Sequence, residues 1–310
     1  MNYSSLSSTE IVTRTRVAVL LATYNGMPYL EEQVASILAQ LNVEITIFVS
    51  DDLSTDATLE FLNGLNDNRI IILPAKKSGS GANNFFRLIC DANIDKFDYI
   101  AFSDQDDLWT PRKLLRAIME IEKNNCGGYS SDLIAFDLDN HKIWYMSKSS
   151  KLKTFDYLFQ GASAGCTYVL SRDAILLVRD KISPTLNSIP INFSHDWLLY
   201  AICRSHGLGW CLDNQAHIYY RQHSRNAYGA LPGFRGFVFR FNLLRNGWYR
   251  QHVLWLGLFL KRSKDEMAVL SAVERLSLID RFFLIFHIKN FRRRNFDCFF
   301  LLVALFTGFF

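Results

Sequence analysis

Residues 17–22, VAVLLA, are apolar at every position rather than at alternate ones. A strand of that kind has both faces covered, which happens where helices pack on the two sides of a parallel sheet. The turn TYNG follows at 23–26, and Pro28 then opens a helix with Glu31 and Glu32 in its first turn, where the helix dipole favours acid. Leu30, Val34, Ile37, Leu38 and Leu41 form one apolar stripe along it. The same alternation continues. A strand at Val43–Val49 leads through SDDLSTD (50–56) into a helix ending near Leu65, and a strand at Arg69–Leu73 leads through GSGANN into a helix over Phe85–Ile94. A strand at Asp98–Phe102 leads through SDQDDLWTP into a helix with Pro111 in its first turn. This order predicts an α/β fold with a mostly parallel central sheet, in which ligands bind beyond the carboxyl ends of the strands. Residues 125–230 add strands at Leu133–Phe136, Cys166–Leu170, Gly209–Asp213 and Ala216–Tyr220, mixed with helices, as a second half completing the site. No internal sequence repeat accompanies the pattern.

Charge divides the chain into unlike parts. Of 310 residues, 49% are hydrophobic and 21% charged, which excludes general disorder, and the net charge is +4. Residues 230–310 hold 13 Lys/Arg against 5 Asp/Glu, whereas residues 1–229 hold 21 against 25. The acidic part lacks the basic footprint of a nucleic-acid binder, so no nucleic-acid partner is expected. Six cysteines without a CxxC pair read as buried thiols in a reducing compartment. The polar N-terminus does not resemble a signal peptide, and the longest uncharged apolar run, Cys298–Phe310, is too short to span a bilayer. The resulting division is a disordered extension at 1–15, an α/β domain at 16–230 and a helical, basic and aromatic region at 231–310.

Three acidic residues in four positions, Asp104, Asp106 and Asp107, follow the fourth strand. Carboxylates so close repel one another unless a cation neutralises them, and a hard divalent ion is the natural one. The bland alternative is a solvated turn, with Asp107 the residue most suited to cap the next helix. Asp51 and Asp52 close the second strand, where Asp52 can serve a base or ribose or simply start a helix, as can Ser54 or Asp56. Ser194-His195-Asp196-Trp197 opens an amphipathic helix ended by Gly207. Asp196 is there either a dipole-stabilised residue or a general base aimed at the crevice. A Ser-His-Asp triad is excluded, because adjacent helical side chains do not face one another. Arg221 suits a diphosphate and His223 can complete a metal shell or be structural. Gly161 to Gly165, GASAG, is a small-residue loop that lets backbone approach a ligand. Neither GK[ST] nor GxGxxG is present.

Taken in order, ATYNG (22–26), SDDLSTD (50–56), NNFFRLI (83–89), FSDQDDLWTPRKL (102–114), GASAGC (161–166), SHDW (194–197) and YRQHSRN (220–226) resemble the inverting family 2 glycosyltransferases of GT-A fold, above all their bacterial rhamnosyltransferase-like branch. The resemblance covers about residues 16–230. It implies a Rossmann-like GT-A domain in which Asp104 and Asp106 hold Mg²⁺ or Mn²⁺ on the donor diphosphate with His223. It implies that Thr23, Tyr24, Asp52, Asn84 and Arg221 serve the nucleotide-sugar donor, that Gly161 and Gly165 belong to an acceptor-side loop, and that Asp196 is the catalytic base. Much of the family has Glu-Asp where this chain has His195-Asp196, and the Gln-x-x-Arg-Trp motif of processive synthases is absent. The implied reaction moves L-rhamnose from a dTDP donor to a lipid-linked saccharide acceptor in O-antigen or other surface-polysaccharide synthesis. The alternatives are another donor such as a UDP-hexose, a nucleotidyltransferase, or a non-catalytic assembly factor.

The last region interleaves Arg with Phe, Trp and Leu, as in GFRGFVFRFNLL and RFFLIFHIKNFRRR. Such helices either pack on the domain with Arg stems over apolar surface or lie on a membrane among anionic headgroups. The second reading places the chain in the cytoplasm, at the inner face of the cell membrane.

Overall fold

The computed structural model describes residues 15–190, 193–223, 243, 245–308 and 310. Its centre is β1 (Arg16–Thr23), in which every residue from Val17 on is buried. Parallel neighbours flank it on both sides, β2 (Glu44–Asp51) and β4 (Tyr99–Ser103), as the unbroken apolar run requires. With β3 (Ile70–Ile72), β6 (Gly128–Ser131), β9 (Val169–Ser171) and β10 (Trp210–Asp213) they form a seven-stranded sheet of order β10-β6-β9-β4-β1-β2-β3. Only β9 runs antiparallel to its neighbours, β4 and β6.

Side chains of β1 point alternately to two apolar layers. Val17, Val19 and Leu21 join α1 (Leu30–Leu38) and α4 (Lys113–Asn124) on one side. Ala18, Leu20 and Ala22 join α3 (Gly81–Asp91), α6 (Arg172–Ile182) and α7 (His195–Ser205) on the other. The short α2 (Thr58–Gly64) lies between β2 and β3 in sequence. A second, four-stranded sheet has the order β5-β11-β7-β8, from β5 (Leu108–Trp109), β7 (Leu133–Asp137), β8 (Lys142–Met146) and β11 (Ile218–Arg221). It brings the chain after β4 together with the chain before residue 222.

Several boundaries move. Helix α1 begins at Leu30 rather than Pro28 and ends before Leu41, which is left exposed. The expected strand over 166–170 divides into a 3₁₀ turn at Gly165–Thr167 and β9. Strands β5, β6 and β8 were not expected: β5 has two residues, β6 is the polar GYSS, and most of β8 is exposed. Two residues and a polar tetrapeptide give no strand signal, and the apolar IWYM of β8 stays mostly in solvent.

After α5 (Asp156–Phe159), the remaining elements of the second half are already placed, and the C-terminal region is helical. It contains α8 (Trp248–Leu256), α9 (Lys264–Arg275), α10 (Leu278–Phe286) and α11 (Asn295–Thr307). Val253, Leu256, Val269, Val273, Leu284, Phe291 and Leu301 are buried in the same layer as α3 and α7, so one face of this region is part of the domain core. Ser263 and Ser277 cap α9 and α10 with reciprocal capping boxes. No helix among the described residues is long and apolar enough to cross a membrane. The expected N-terminal extension lies almost wholly outside the described residues, as does most of 224–244.

Candidate active site

The carboxyl ends of β1, β2 and β4 lie side by side, which puts Thr23, Asp51-Asp52 and Ser103-Asp104 along one edge. This edge is built on buried polar braces. Thr23 Oγ1 donates to Asp51 Oδ2 at 2.9 Å, and Ser54 N donates to Asp51 Oδ1 at 2.7 Å. Asn84, reaching over from α3, donates through Nδ2 to the carbonyls of Ser50 at 2.7 Å and Thr23 at 3.3 Å. Thr23 and Asn84 are therefore buried, and these polar groups fix the two strand ends. Asp52 accepts the backbone N–H groups of Ser78 and Gly79, tying the loop before α3 to the end of β2. The start of α2 is served by Asp56, whose Oδ1 accepts Thr58 N at 3.0 Å. Tyr24 is exposed, and Gln105 pins its backbone, accepting its N–H at 2.8 Å and donating to its carbonyl at 3.0 Å.

Carboxylates gather where the turn after β4 meets the end of β11. His223 Nε2 lies 2.8 Å from Asp106 Oδ2, with its ring stacked on Tyr29 at 4.7 Å. Burial pushes the Asp104 carboxyl up to about 7, and the charges of Asp106 and Asp196 add to it. Asp107 is fully buried and is also held well above the usual carboxylate range, by burial and then by the charges of Asp106 and Asp104. It is not the helix cap that its position suggested: α4 starts at Lys113 with no side-chain cap, and Asp107 Oδ1 instead accepts Arg221 N at 3.2 Å. Asp107 thus braces β11 beneath the acidic turn.

Such a cluster stores repulsion that a cation would relieve. Ligand atoms of Asp104, Asp107 and Cys166 lie within 4.8 Å of one another. Burial, with the charges of Asp107 and Asp104, pushes the Cys166 thiol well up, so it stays protonated and is a poor ligand. What remains there is the carboxylate oxygen of Asp104 and Asp107, with the Asp106–His223 pair close enough for the Asp106 charge to act on both, and hard oxygen donors of this kind fit a divalent ion such as Mg²⁺ or Mn²⁺. Arg221 donates from Nε to the Asp106 carbonyl at 2.9 Å and pairs with Glu32 of α1. Its guanidinium lies over the rings of Tyr29, at 4.9 Å, and Phe136, at 4.8 Å.

Asp196 stands in the first turn of α7, and its charge is felt by Asp104. Its Oδ1 accepts Trp197 N at 2.7 Å and the Ser194 hydroxyl, so one oxygen fixes the side chain. Loop 161–165 packs against it. A Cβ on Gly165 would lie 2.7 Å from His195 Nε2 and 3.2 Å from Asp196 Cβ, so only glycine fits there. A Cβ on Gly161 would meet nothing nearer than 3.6 Å, an ordinary contact. His195 is half-buried, with Nε2 sealed from solvent and the ring stacked on Phe85 at 4.3 Å, and burial pushes its imidazole down, which favours the neutral form.

The structure thus pairs Asp106 with His223 and with Arg221, puts Asp104 within electrostatic reach of Asp106 and Asp196, and sets Asp52 on the neighbouring strand end; among the described residues the ligand atoms it brings within 4.8 Å are those of Asp104, Asp107 and Cys166 rather than the expected set of Asp104, Asp106 and His223. Sequence reasoning missed Tyr29, Glu32 and Gln105, whose partners are remote along the chain. It also missed Lys113, fully buried over the Trp109 ring at 3.6 Å and pushed down to about 7 by burial. A lysine in the first turn of an amphipathic helix gives no sign that it points inward.

An acidic edge at the carboxyl ends of parallel strands, with Asp196 of a second half within electrostatic reach, lies where α/β sheets bind their ligands. The chain belongs to glycosyl transferase family 2, whose family profile matches residues 18–176. It is 40% identical to the dTDP-rhamnosyl transferase RfbG of Shigella flexneri over 237 residues, 75% of this chain and 82% of that one. It is 28% identical over 78% of its length to the Escherichia coli UDP-Glc:alpha-D-GlcNAc-diphosphoundecaprenol beta-1,3-glucosyltransferase WfaP, of which 91% is covered. Among solved structures it resembles S. aureus TarS 1-349 in complex with UDP-GlcNAc, with a TM-score of 0.57 and 16% identity over 95% of this chain and 80% of that one. The GT-A fold and the glycosyltransferase activity expected from the motifs are both borne out.

Proposed function

We propose that this glycosyltransferase moves L-rhamnose from a dTDP donor to a lipid-linked saccharide acceptor during synthesis of a surface polysaccharide such as O-antigen. The observation that carries the donor assignment is the 40% identity to a dTDP-rhamnosyl transferase along three quarters of the chain. In this reading Asp52 and Tyr24 border the nucleotide, with Thr23 and Asn84 shaping the strand ends behind it. Asp196 takes the proton of an acceptor hydroxyl as that oxygen attacks the anomeric carbon from the face opposite the nucleotide. The bond from the anomeric carbon to the diphosphate oxygen breaks, and the anomeric centre inverts without an enzyme nucleophile. A divalent ion held by Asp104, Asp106 and His223 would neutralise the charge that the leaving diphosphate gains. Arg221 adds a fixed positive charge at the same edge.

The C-terminal helices supply a place to meet a lipid-linked acceptor. Ile279, Phe282 and Phe286 of α10 are 82%, 66% and 85% exposed, and Phe296, Phe299 and Phe306 of α11 are exposed as well. Each set falls on one helix face, within a segment rich in Arg and Lys, which suits peripheral attachment to an anionic bilayer at the inner face of the cell membrane.

The test is to incubate the purified chain with GlcNAc-diphosphoundecaprenol, Mg²⁺ and either dTDP-rhamnose or UDP-glucose, and to read the product's anomeric configuration by NMR. Transfer from dTDP-rhamnose with inversion supports the reading. Transfer from UDP-glucose alone replaces the donor, and a retained configuration overturns the mechanism.

A further inference from the structure

Arg293 lies just before α11, far in sequence from the catalytic motifs, yet its side chain is only 7% exposed. Its Nη2 donates to the carbonyls of Gly161, at 2.7 Å, and Ala162, at 2.6 Å. Its Nε lies 3.7 Å from the fully buried Asp156 of α5, and its guanidinium sits 5.8 Å from the Tyr200 ring of α7. One cation therefore joins the C-terminal region, α5, α7 and the loop at 161–165. The far end of that loop, Gly165, is the residue against which His195 and Asp196 pack. Between the two ends, Ala162 N donates to the Tyr168 hydroxyl at 2.9 Å, so the loop is held from both sides. Arg292 makes a separate contact, donating to the Phe159 carbonyl at 2.6 Å and to the Tyr249 hydroxyl at 2.9 Å.

We infer that Arg293 is a positioning residue for the acceptor half of the site: it sets loop 161–165 against Asp196, so the C-terminal region is part of the catalytic apparatus and not only an attachment. A lysine there could offer its ammonium to the same carbonyls but would lose the planar guanidinium whose Nε faces Asp156 and whose plane lies over Tyr200. This inference rests on the reading of 161–165 as the acceptor-side loop, and the experiment separates the two.

Arg293→Ala, Arg293→Lys and Arg292→Ala are compared in the full chain. Hydrogen exchange is the first readout: Arg293→Ala speeds exchange of the amides at 161–168 at least tenfold, while Arg292→Ala leaves them within about twofold. Kinetics with dTDP-rhamnose and GlcNAc-diphosphoundecaprenol are the second. Arg293→Ala lowers kcat/KM for the acceptor at least tenfold with donor KM within twofold, Arg293→Lys recovers part of the loss, and added guanidinium ion recovers part in Arg293→Ala. Unchanged exchange at 161–168, or equal effects of the Arg292 and Arg293 changes on that loop, would overturn the positioning role. Loosened exchange together with an unchanged acceptor kcat/KM would leave the loop tethered by Arg293 but remove its acceptor role. Absence of any transfer by the wild type would count against the donor and acceptor assignment, with exchange still deciding the tether.

Discussion

Asp196 and Gly165 show how much of the site depends on single side chains. Asp196→Asn keeps the shape and the contact with Trp197 N but cannot accept the acceptor's proton, so turnover is expected to fall by about 10²–10⁴-fold with donor affinity unchanged. Calorimetric donor titration beside a transfer assay checks this, and near-normal turnover would remove Asp196 from the role. Gly165→Ala forces a methyl onto His195 and Asp196, and displacements approaching 1 Å cost on the order of 10²-fold in rate. Gly161→Ala meets no such contact, so its kcat is expected to stay within about twofold; matching losses at the two glycines would contradict the packing argument. The acidic clusters were legible in the sequence because closely spaced carboxylates at strand ends demand an explanation, whereas Asp196, alone at a helix start, stood out only through the resemblance carried by SHDW. Glu32 and Gln105 were not, since Glu32 finds Arg221 189 positions away and Gln105 finds Tyr24 81 positions away. Nothing local marks either one. Asp107 misled for the opposite reason: a local rule for helix caps applied to its position, and the packing of β11 overrode it.

At the level of elements, α8 is fastened to α7 by an aromatic stack around His252. Its ring lies 4.0 Å from Phe193 and 4.5 Å from Trp197, and burial pushes it down to about 3. An unfolded histidine takes up a proton near 6.5, while the fold keeps His252 neutral. Its contribution to stability is therefore complete above pH 6.5 and is lost as the pH falls from there towards 3. His252→Phe keeps the stack, removes the buried ring nitrogen that lacks a hydrogen-bond partner among the described residues, and cannot protonate. Urea unfolding between pH 7.5 and 4.5 should show a shallower loss of stability in the variant than in the wild type. Parallel profiles would mean that His252 takes up its proton in the fold as it does in the unfolded chain, which would contradict the buried neutral ring. The strand–turn–helix units were readable because a parallel sheet covered on both faces leaves continuous apolar runs, as in β1. Strands β5, β6 and β8 were hidden because they are short, polar or exposed, and their pairing comes from partners elsewhere in the chain.

Across the whole molecule, the acidic catalytic half and the basic, aromatic end meet through a shared core, and Arg292 and Arg293 tie that end to loop 159–162. The exposed apolar face of α10 and α11 is the part left over. Phe282→Ser with Phe286→Ser removes two rings already in solvent, so folding is unaffected, while partition onto vesicles of phosphatidylglycerol and phosphatidylethanolamine should drop at least about tenfold. Salt should weaken, without abolishing, wild-type binding, because the Arg and Lys share of the attraction is screened and the apolar share is not. Equal sedimentation of variant and wild type with vesicles would assign the face to another partner. The charge split that pointed to this division was visible in composition alone, whereas which face packs and which stays exposed required the helices to be placed. The central claim, a metal-dependent donor site on the edge of β4, is tested most directly by thermal unfolding with saturating dTDP-rhamnose, with and without Mg²⁺, in the wild type and in Asp106→Asn. A ligand that binds only the folded chain raises its stability by RT ln(1 + [L]/Kd), about 2.7 kcal/mol at a hundredfold excess over Kd. The account predicts a rise in Tm for the wild type that needs Mg²⁺ and disappears in Asp106→Asn; a rise of equal size without metal and in the variant would contradict it.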